Sequence, residues 1–454
     1  MHVSLTNQGL SRIVLGLGFT LAVSSGLYIG WYGGDFQTLA FIGIALFGIF
    51  ALLARRIEVG LVLWILLFAL GYRTIYLTEN FRIHPLSLFI FALFIKVLID
   101  ARFSGQNLRP LLPAQLWFFS AFWVIGIARG RANGVLWDIM ANELLNFAIL
   151  FPIFVVVQHS LQGKAMAWKA IILAFFGVGT WIALLGVLET WFPGFQRILP
   201  GLSTGNRFIV SEIDRFQRST FAFFGSPAAV FVCALTLPLA LPIIGSATRP
   251  STRVFAGVGF LVQIFAVYLS GYRSVWIVSA FGLLVLVWLR SGSVKATIVA
   301  VVVSILFLEF APMPARERFG TVLETLQGGT PVDSSLQKRE LRTQGALEIA
   351  LREPLGRGWG ASGWVHNDFA QIGANLGPFA GLLFLGWYLA TLLKSLRRVT
   401  ANDKLLIGLT SSFVIAGGLL LTQGVEVLTQ LVAPVWFVWA MLHVYLGEND
   451  PAKA

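Results

Sequence analysis

The run Lys169–Phe192, KAIILAFFGVGTWIALLGVLETWF, decides the fold class of this chain. Between Lys169 and Glu189 it contains nineteen consecutive residues without a charge. A helix of that length crosses the roughly 30 Å hydrocarbon core of a bilayer. Comparable apolar runs recur along the 454 residues, of which 57% are hydrophobic and only 12% are charged. Soluble domains contain about 25% charged residues, so the composition predicts an all-α membrane protein with many spans.

The apolar runs predict about twelve to fourteen transmembrane helices, because the division of the first seven runs is not fixed by hydrophobicity. The fourteen candidate spans are 12–31, 36–54, 60–77, 84–100, 111–128, 143–159, 169–192, 220–246, 253–270, 275–290, 295–311, 367–393, 404–422 and 426–446. The first is interpreted as a span, since no small-residue cleavage site follows it.

Two longer polar connections divide the chain. The predicted organisation is N-terminal spans in 1–192, a first polar loop at 193–218, central spans in 219–311, a large polar loop at 312–366, and C-terminal spans with a short tail in 367–454. The single cysteine, Cys233, lies in an apolar run and excludes an internal disulfide. We find no nucleic-acid-binding motif, so the net charge of +12 is attributed to topology and anionic lipid.

Basic residues in the short connections predict the orientation. One side of the predicted bundle, with both tails, holds seventeen of them, and the opposite short loops hold five. Cytoplasmic loops are enriched in Lys and Arg. Both termini are therefore expected in the cytoplasm, and both long loops outside.

The two predicted sides also differ in the kind of cation they carry. Seven of the eight lysines are on the cytoplasmic side, whereas the outer side has fifteen arginines and only Lys338. A guanidinium matches a phosphate with two parallel hydrogen bonds. The bias is typical of a protein that binds a lipid-linked pyrophosphate, although arginines that extend to lipid headgroups would give the same pattern.

The large loop contains the strongest candidates for catalytic residues. Residues 336–352, LQKRELRTQGALEIALR, have the pattern of an amphipathic helix that lies in the membrane interface or over a cavity. Pro354 ends that helix, and four glycines within 356–363 let the chain turn closely. His366 follows, and a histidine suits a general base at neutral pH. The alternative is that His366 only precedes a helix that Asn367 or Asp368 caps.

Other polar residues give weaker signals. Arg218 and Arg273 lie at the predicted outer ends of spans, where each could bind a phosphate or anchor to headgroups. Glu212 and Asp214 form a minimal acidic pair, which is too common to predict a metal site. Glu426 is the main charged residue that we expect deep in a span. Transporters and pumps usually have intramembrane carboxylates at midplane, so the pattern favours chemistry at the outer surface.

Several of these residues resemble the signature of the bacterial O-antigen ligase and polymerase superfamily. The stretches that carry the resemblance are Arg339-Glu340, Glu353-Pro354-Leu355-Gly356-Arg357-Gly358-Trp359-Gly360, His366-Asn367-Asp368, Gln371–Gly377, Arg218–Phe221 with Gly225-Ser226-Pro227, and Ser270–Arg273. The likeness covers roughly 200–425. Ser226-Pro227 departs from the Asn-Pro of the family, and fourteen spans would exceed the twelve typical of ligases.

The resemblance implies a membrane glycosyltransferase of the GT-C class in the bacterial inner membrane, with its active site facing the periplasm. Its donor would be a glycan on undecaprenyl pyrophosphate, and it would use neither a metal nor a cofactor. His366 would be the catalytic base, with Asn367 and Glu340 in support. Pyrophosphate would be bound by arginines, namely Arg218, Arg273 and Arg339, with Arg316, Arg318 and Arg342 in reserve.

Two functions share this signature, and two functions of other classes compete with them. A ligase, which we prefer although the signature does not separate it from a polymerase, would transfer the glycan to lipid A–core oligosaccharide. A polymerase would use another lipid-linked repeat as the acceptor, with the same chemistry. A flippase for lipid-linked glycans is a distant alternative, because it should place cations within the spans. A scaffold without enzymatic activity would leave the His366 loop unexplained.

Overall fold

The structure of the protein, a computed structural model, is almost entirely helical. It describes residues 56–70, 75–76, 82–104, 114–192, 226–295, 298, 334–422 and 429–448. The predicted spans 12–31 and 36–54, nearly all of 295–311, the connection 193–218, and residues 312–333 of the large loop lie outside the described residues.

Fifteen α-helices can be numbered along the described residues. They are α1 Ile57–Leu66, α2 Pro85–Ser104, α3 Ala114–Ala132, α4 Trp137–Ala148, α5 Leu150–Leu161, α6 Ala165–Trp191, α7 Ser226–Thr236, α8 Ala240–Ser246, α9 Pro250–Leu269, α10 Arg273–Ser291, α11 Ser334–Arg352, α12 Asp368–Leu376, α13 Pro378–Arg398, α14 Lys404–Thr422 and α15 Thr429–Glu448. Short 3-10 helices span Leu67–Leu70 and Leu237–Leu239, and β1 (Ile75–Tyr76) pairs antiparallel with β2 (Arg82–Ile83).

Among the described residues, eight segments are long and apolar enough to cross a membrane, which confirms a multi-pass α-helical membrane protein. They are Trp137–Leu161, Ala165–Leu188, Ala229–Ser246, Pro250–Leu269, Arg273–Ser291, Pro378–Arg398, Lys404–Thr422 and Leu431–Glu448. The first of them combines α4 and α5, and the third combines most of α7 with α8.

Helix α15 lies at the centre of the bundle. Every residue from Leu431 to Leu442 is buried, as expected for a helix that is hydrophobic on all sides. Its Trp439 packs against Trp387 of α13, with ring centroids 4.3 Å apart, and against Phe413 of α14 at 5.3 Å. These aromatic contacts join the C-terminal helices into one core.

Several predicted spans have different bounds in the structure, and two of them need the largest corrections. The predicted span 367–393 is wrong as one helix, because it is divided into α12 and α13 at Gly377. Gly377 has φ 95°, and a Cβ there would lie 2.1 Å from the carbonyl oxygen of Pro354. Pro378 then starts α13. Its missing N–H costs no hydrogen bond there, because the first N–H groups of a helix have no partner within the helix. The predicted span 60–77 extends too far, since the helical residues end at Leu70 and a strand begins at Ile75.

The helix ends lie on two faces of the bundle. We call the side that carries residues 353–367 the loop face, and the other side the opposite face. The loop face includes the end of α3, the starts of α4, α10 and α13, and the end of α14. On the opposite face Lys164 pairs with Glu58 at 2.6 Å.

Candidate functional site

The loop after α11 packs against the C-terminal end of α12 and forms hydrogen bonds with it. The backbone N–H of Arg357 donates to the carbonyl of Ala374 at 2.9 Å, and that of Gly358 donates to the carbonyl of Asn375 at 2.8 Å. The last carbonyls of a helix have no partner within the helix. The loop therefore satisfies the end of α12 and acquires a fixed position from it.

Glycine lets the same loop touch α3. Gly358 has φ 94°, and a Cβ there would lie 2.0 Å from the backbone nitrogen of Gly130. The next residue, Trp359, donates its backbone N–H to Gly126 at 3.2 Å and is 1% exposed. No other residue type tolerates both the left-handed conformation and this close approach. The turn is consequently inserted into the bundle and does not lie loosely over it.

An ionic network holds the entry to the loop. Arg129, in the last turn of α3, pairs with Glu353 at 2.7 Å and also donates through Nε to the Gly356 carbonyl at 3.1 Å. Glu353 binds Arg357 as well, at 2.9 Å, and Asn133 donates to the Arg357 carbonyl at 2.6 Å. The role of Arg129 in holding the loop therefore explains why an arginine is present at this position, without any contact with lipid or phosphate.

A carboxylate within a membrane span lies beneath the loop. Glu143 is six residues into the span Trp137–Leu161, about 9 Å along the helix from its start. Its Oε2 accepts hydrogen bonds from the backbone of Gly360 at 2.8 Å and from Nδ2 of Asn375 at 3.1 Å. The Ser362 hydroxyl donates to the other amide atom, Oδ1 of Asn375. We call these four residues the carboxylate cluster.

Glu143 was not among the predicted site residues. The apolar pattern predicts that a span starts at this residue, and Glu426, which lies outside the described residues, is the main charged group predicted within the spans. The signal was available, since the apolar run begins six residues earlier at Trp137. An ionisable residue inside a span is by default a candidate functional residue.

His366 lies at the end of the loop, immediately before α12. Its ring is half-buried and rests against Trp364, with centroids 4.6 Å apart. Asn367 caps α12 by accepting the backbone N–H of Ala370 at 3.1 Å, which confirms the predicted capping role. Asp368 is fully buried. Because Asn367 makes the cap, the His366 side chain is not needed for it.

Helix α11 is coupled to the residue that precedes His366. Ala346 of α11 clusters with Val365 and with Ala370 and Ala374 of α12. Val365 is further held by its N–H, which donates to Oε1 of Gln371 at 3.0 Å. A movement of α11 would therefore act on the backbone beside His366.

Two of the predicted phosphate-binding arginines, Arg273 and Arg339, lie in the same part of the loop face. Arg339 is seven residues before Ala346, on the same side of α11, and donates to the carbonyl of Thr422 at 3.5 Å. Helices α10 and α14 run antiparallel: a Cβ at Gly418 would meet Val278, and one at Gly282 would meet Ile415.

That register places the start of α10, at Arg273, beside the end of α14, at Thr422. Arg273 and Arg339, which are distant in sequence, therefore flank one helix end.

The remaining predicted residues have other locations. Arg342 and Glu340 are exposed on α11, and Glu340 accepts a hydrogen bond from Gln344 at 3.3 Å. Some predicted residues lie outside the described residues: Arg218, Arg316, Arg318, Glu212 and Asp214. In the part of the chain that the structure describes, no group of three His, Cys, Asp or Glu side chains is arranged to hold a metal ion.

No protein-family profile matches the chain, and no curated protein matches it either. The resemblance to the O-antigen ligase and polymerase superfamily therefore depends only on the short stretches of sequence that carry it. What the geometry adds is independent of any relative: a glycine-rich loop fixed on three helices, a carboxylate cluster below it and a histidine at its end.

Proposed function

We propose that this protein is an inverting glycosyltransferase that moves a glycan from undecaprenyl pyrophosphate to an acceptor hydroxyl. The observation that carries the proposal is the position of the His366 loop on the bundle. The loop is held by the carboxylate cluster and by Arg129, while Arg273 and Arg339 lie on the same face. These positions support a site in which His366 would be the base and the arginines would supply the positive charge.

His366 is the proposed general base. Its neutral ring takes the proton from the acceptor hydroxyl as that oxygen attacks the anomeric carbon. The bond from the anomeric carbon to the pyrophosphate oxygen breaks at the same time, and undecaprenyl pyrophosphate leaves with the electron pair. Attack from the opposite side inverts the configuration. General base catalysis of this kind contributes about 10²- to 10⁴-fold.

The arginines are the proposed binders of the leaving group. Arg273 and Arg339 would bind the pyrophosphate, whose negative charge increases as the sugar departs. Further ligands would come from Arg218, Arg316, Arg318 and Arg342. A lipid-linked donor places its pyrophosphate at the level of the headgroups, where the ends of α10 and α14 lie. We accordingly assign the loop face to the periplasm and the opposite face to the cytoplasm.

The positions of the basic residues favour an enzyme over a flippase. In the described spans every Lys and Arg is one of the first five or last five residues of its span. The two that lie farthest from a span end are Lys169 and Lys394. A cavity that moved a pyrophosphate across the bilayer would place cations near midplane. Between the two enzymes we favour the ligase, with lipid A–core as acceptor, and keep the polymerase as the alternative.

Reconstitution tests the proposal. The purified protein is combined with an undecaprenyl-pyrophosphate glycan, with and without lipid A–core, and the products are separated on a gel. A product on lipid A–core that needs this acceptor identifies a ligase, and a ladder of longer lipid-linked glycans identifies a polymerase. Movement of the donor across vesicles without any new glycosidic bond would overturn the proposal in favour of the flippase.

A further inference from the structure

Helix α11 has an exposed apolar edge that its packing does not explain. Its buried side, with Ala346 and Ala350, faces α12. Away from that side, Leu347 is 49% exposed and Leu351 is 80% exposed. Leu355, just after the helix, is 50% exposed. Leu347 and Leu351 are four residues apart and lie on one side of the helix, and Leu355 follows in the turn after the helix. We call these three leucines the leucine ridge.

The ridge continues into the surface of a membrane span. Pro354 and Gly356, on either side of Leu355, both contact the Gly377 turn: a Cβ at Gly377 would lie 2.1 Å from the Pro354 carbonyl oxygen and 3.3 Å from the Gly356 nitrogen. Phe379, two residues later in the first turn of α13, is 71% exposed. Leu382 follows at 65% exposed. Leu355 is therefore next to the apolar outer surface of α13.

Span α13 fixes the depth of the ridge. Its 21 residues extend about 31 Å, which matches the thickness of the hydrocarbon core. Phe379 in its first turn is then at the boundary between acyl chains and headgroups, and Leu355 is at the same level. Arg352, whose side chain is 81% exposed, is placed one residue after Leu351 and can extend to lipid phosphates.

We propose that the C-terminal half of α11 rests on the membrane, with the leucine ridge inserted into the leaflet on the loop face. The occupant of the ridge is lipid. The apolar surface is continuous with that of a span, and α11 is charged elsewhere, as expected for a helix that lies in the interface. Because α11 also packs on Val365, the membrane supports the backbone that precedes His366. The proposal does not depend on transfer activity.

Site-specific fluorescence tests the position of the ridge. Cys233, the one cysteine of the chain, is fully buried, so Leu351→Cys and Leu355→Cys provide reactive sites for an environment-sensitive dye, with the unsubstituted protein as the labelling blank. Arg342→Cys is the matched control, since it is exposed on the same helix about half a turn away from Leu351. Each labelled protein is reconstituted in vesicles of phosphatidylethanolamine and phosphatidylglycerol.

Two quenchers distinguish the outcomes. Spin-labelled lipid with its label near the headgroup should quench the dye at 351 and 355 several-fold more than at 342, and aqueous iodide should show the reverse order. Equal access of iodide to all three positions would overturn the proposal. Protection of 351 from both quenchers would also overturn it, because a protein partner or second copy would then cover the ridge.

A charge on the ridge provides a second test. Leu351→Glu should reduce lipid quenching of the dye at 355 several-fold, because a carboxylate does not enter the acyl region. Leu341→Glu adds the same charge at a leucine that is 60% exposed but about 80° around the helix from Leu351. It should leave the quenching at 355 unchanged. An equal effect of both substitutions, or no effect of either, would contradict the proposal.

Discussion

The two faces of the bundle use charged side chains differently. On the opposite face they close helix ends: Arg398 donates to the Leu446 carbonyl at 2.5 Å, and Asp403 accepts the N–H of Leu406 at 3.0 Å. On the loop face they bind a loop: Glu143 accepts the Gly360 N–H, and Arg129 donates to the Gly356 carbonyl. Capping explains these two contacts, and the Lys164–Glu58 pair on the same face joins α1 to the start of α6.

The contacts on the loop face hold a non-helical segment inside a membrane protein. Polar groups on irregular backbone are costly there unless they are paired, so this arrangement needs a purpose beyond the fold. That difference favours the loop face as the functional side of the bundle. Five predictions test it, from the largest expected effect to the smallest.

His366→Ala should reduce transfer by about 10²- to 10⁴-fold, because it removes the proposed base. The residue lies in a loop and not in the packed core, so the thermal unfolding temperature should change little. His159→Ala, near the opposite face, is the control and should retain activity. Normal transfer by the His366 variant in the reconstituted assay would remove the general-base assignment.

Glu143→Ala should lower transfer and also loosen the loop, since Gly360 N–H and Asn375 Nδ2 lose their acceptor. An unsatisfied buried group costs about 1–3 kcal/mol. Glu143→Gln keeps a carbonyl oxygen and should recover much of the loss. Hydrogen exchange across 353–367 measures the loop directly.

Asp138→Ala, on the same helix, is the control for Glu143. It should leave exchange in the loop as it is in the unsubstituted protein. If Glu143→Ala also left exchange and transfer unchanged, the carboxylate cluster would have no part in holding the loop.

Arg273→Lys should reduce transfer several-fold, because a point charge does not replace a planar fork on a pyrophosphate. The change should mainly raise the donor concentration needed for half-maximal rate. Arg253→Lys, on the opposite face, is the matched control. Full activity of the Arg273 variant at low donor concentration would identify this arginine as a headgroup anchor.

Arg129→Ala should lower the thermal unfolding temperature by a small amount, with a loss of about 1 kcal/mol for a partly exposed network. Arg131→Ala is the control, since among the described residues Arg131 donates to the nearby Val135 carbonyl and not to the loop. The two variants are compared by melting in detergent. An equal shift for both would show that the link to Glu353 and Gly356 contributes nothing specific.

Removal of divalent cations with EDTA should leave transfer unchanged, the smallest effect of the five. The proposed chemistry uses arginines to stabilise the pyrophosphate. Activity that disappears in EDTA and returns with added magnesium would show that a metal takes part. Glu212 and Asp214 would then be the first residues to substitute.

Several features were predicted from short-range patterns. The amphipathic pattern at 336–352 predicted a helix that the structure has at Ser334–Arg352, and the stop at Pro354 follows from the missing N–H of proline. The cap at Asn367 is also local, because its partner is three residues away. Such features depend only on neighbours in sequence, so the sequence is sufficient to find them.

Other features are invisible locally. Gly377 divides a hydrophobic run that would otherwise extend as one span, and the reason is contact with Pro354 more than twenty residues earlier. From the sequence, Arg129 counts only as one of the basic residues that predict the orientation of the spans. The structure shows that it binds Glu353, 224 residues away. Charge counts do not distinguish an arginine that orients a protein from one that binds a loop.

The sequence by itself determined that this is a multi-pass helical membrane protein, because uninterrupted apolar runs satisfy backbone hydrogen bonds in lipid only as helices. It also identified the loop around His366 by composition. Only the tertiary structure decided that Glu143 and Asn375 lie beneath that loop, since the bonds join residues 217 and 232 positions apart. Packing of distant helices, which no local pattern encodes, brings them together.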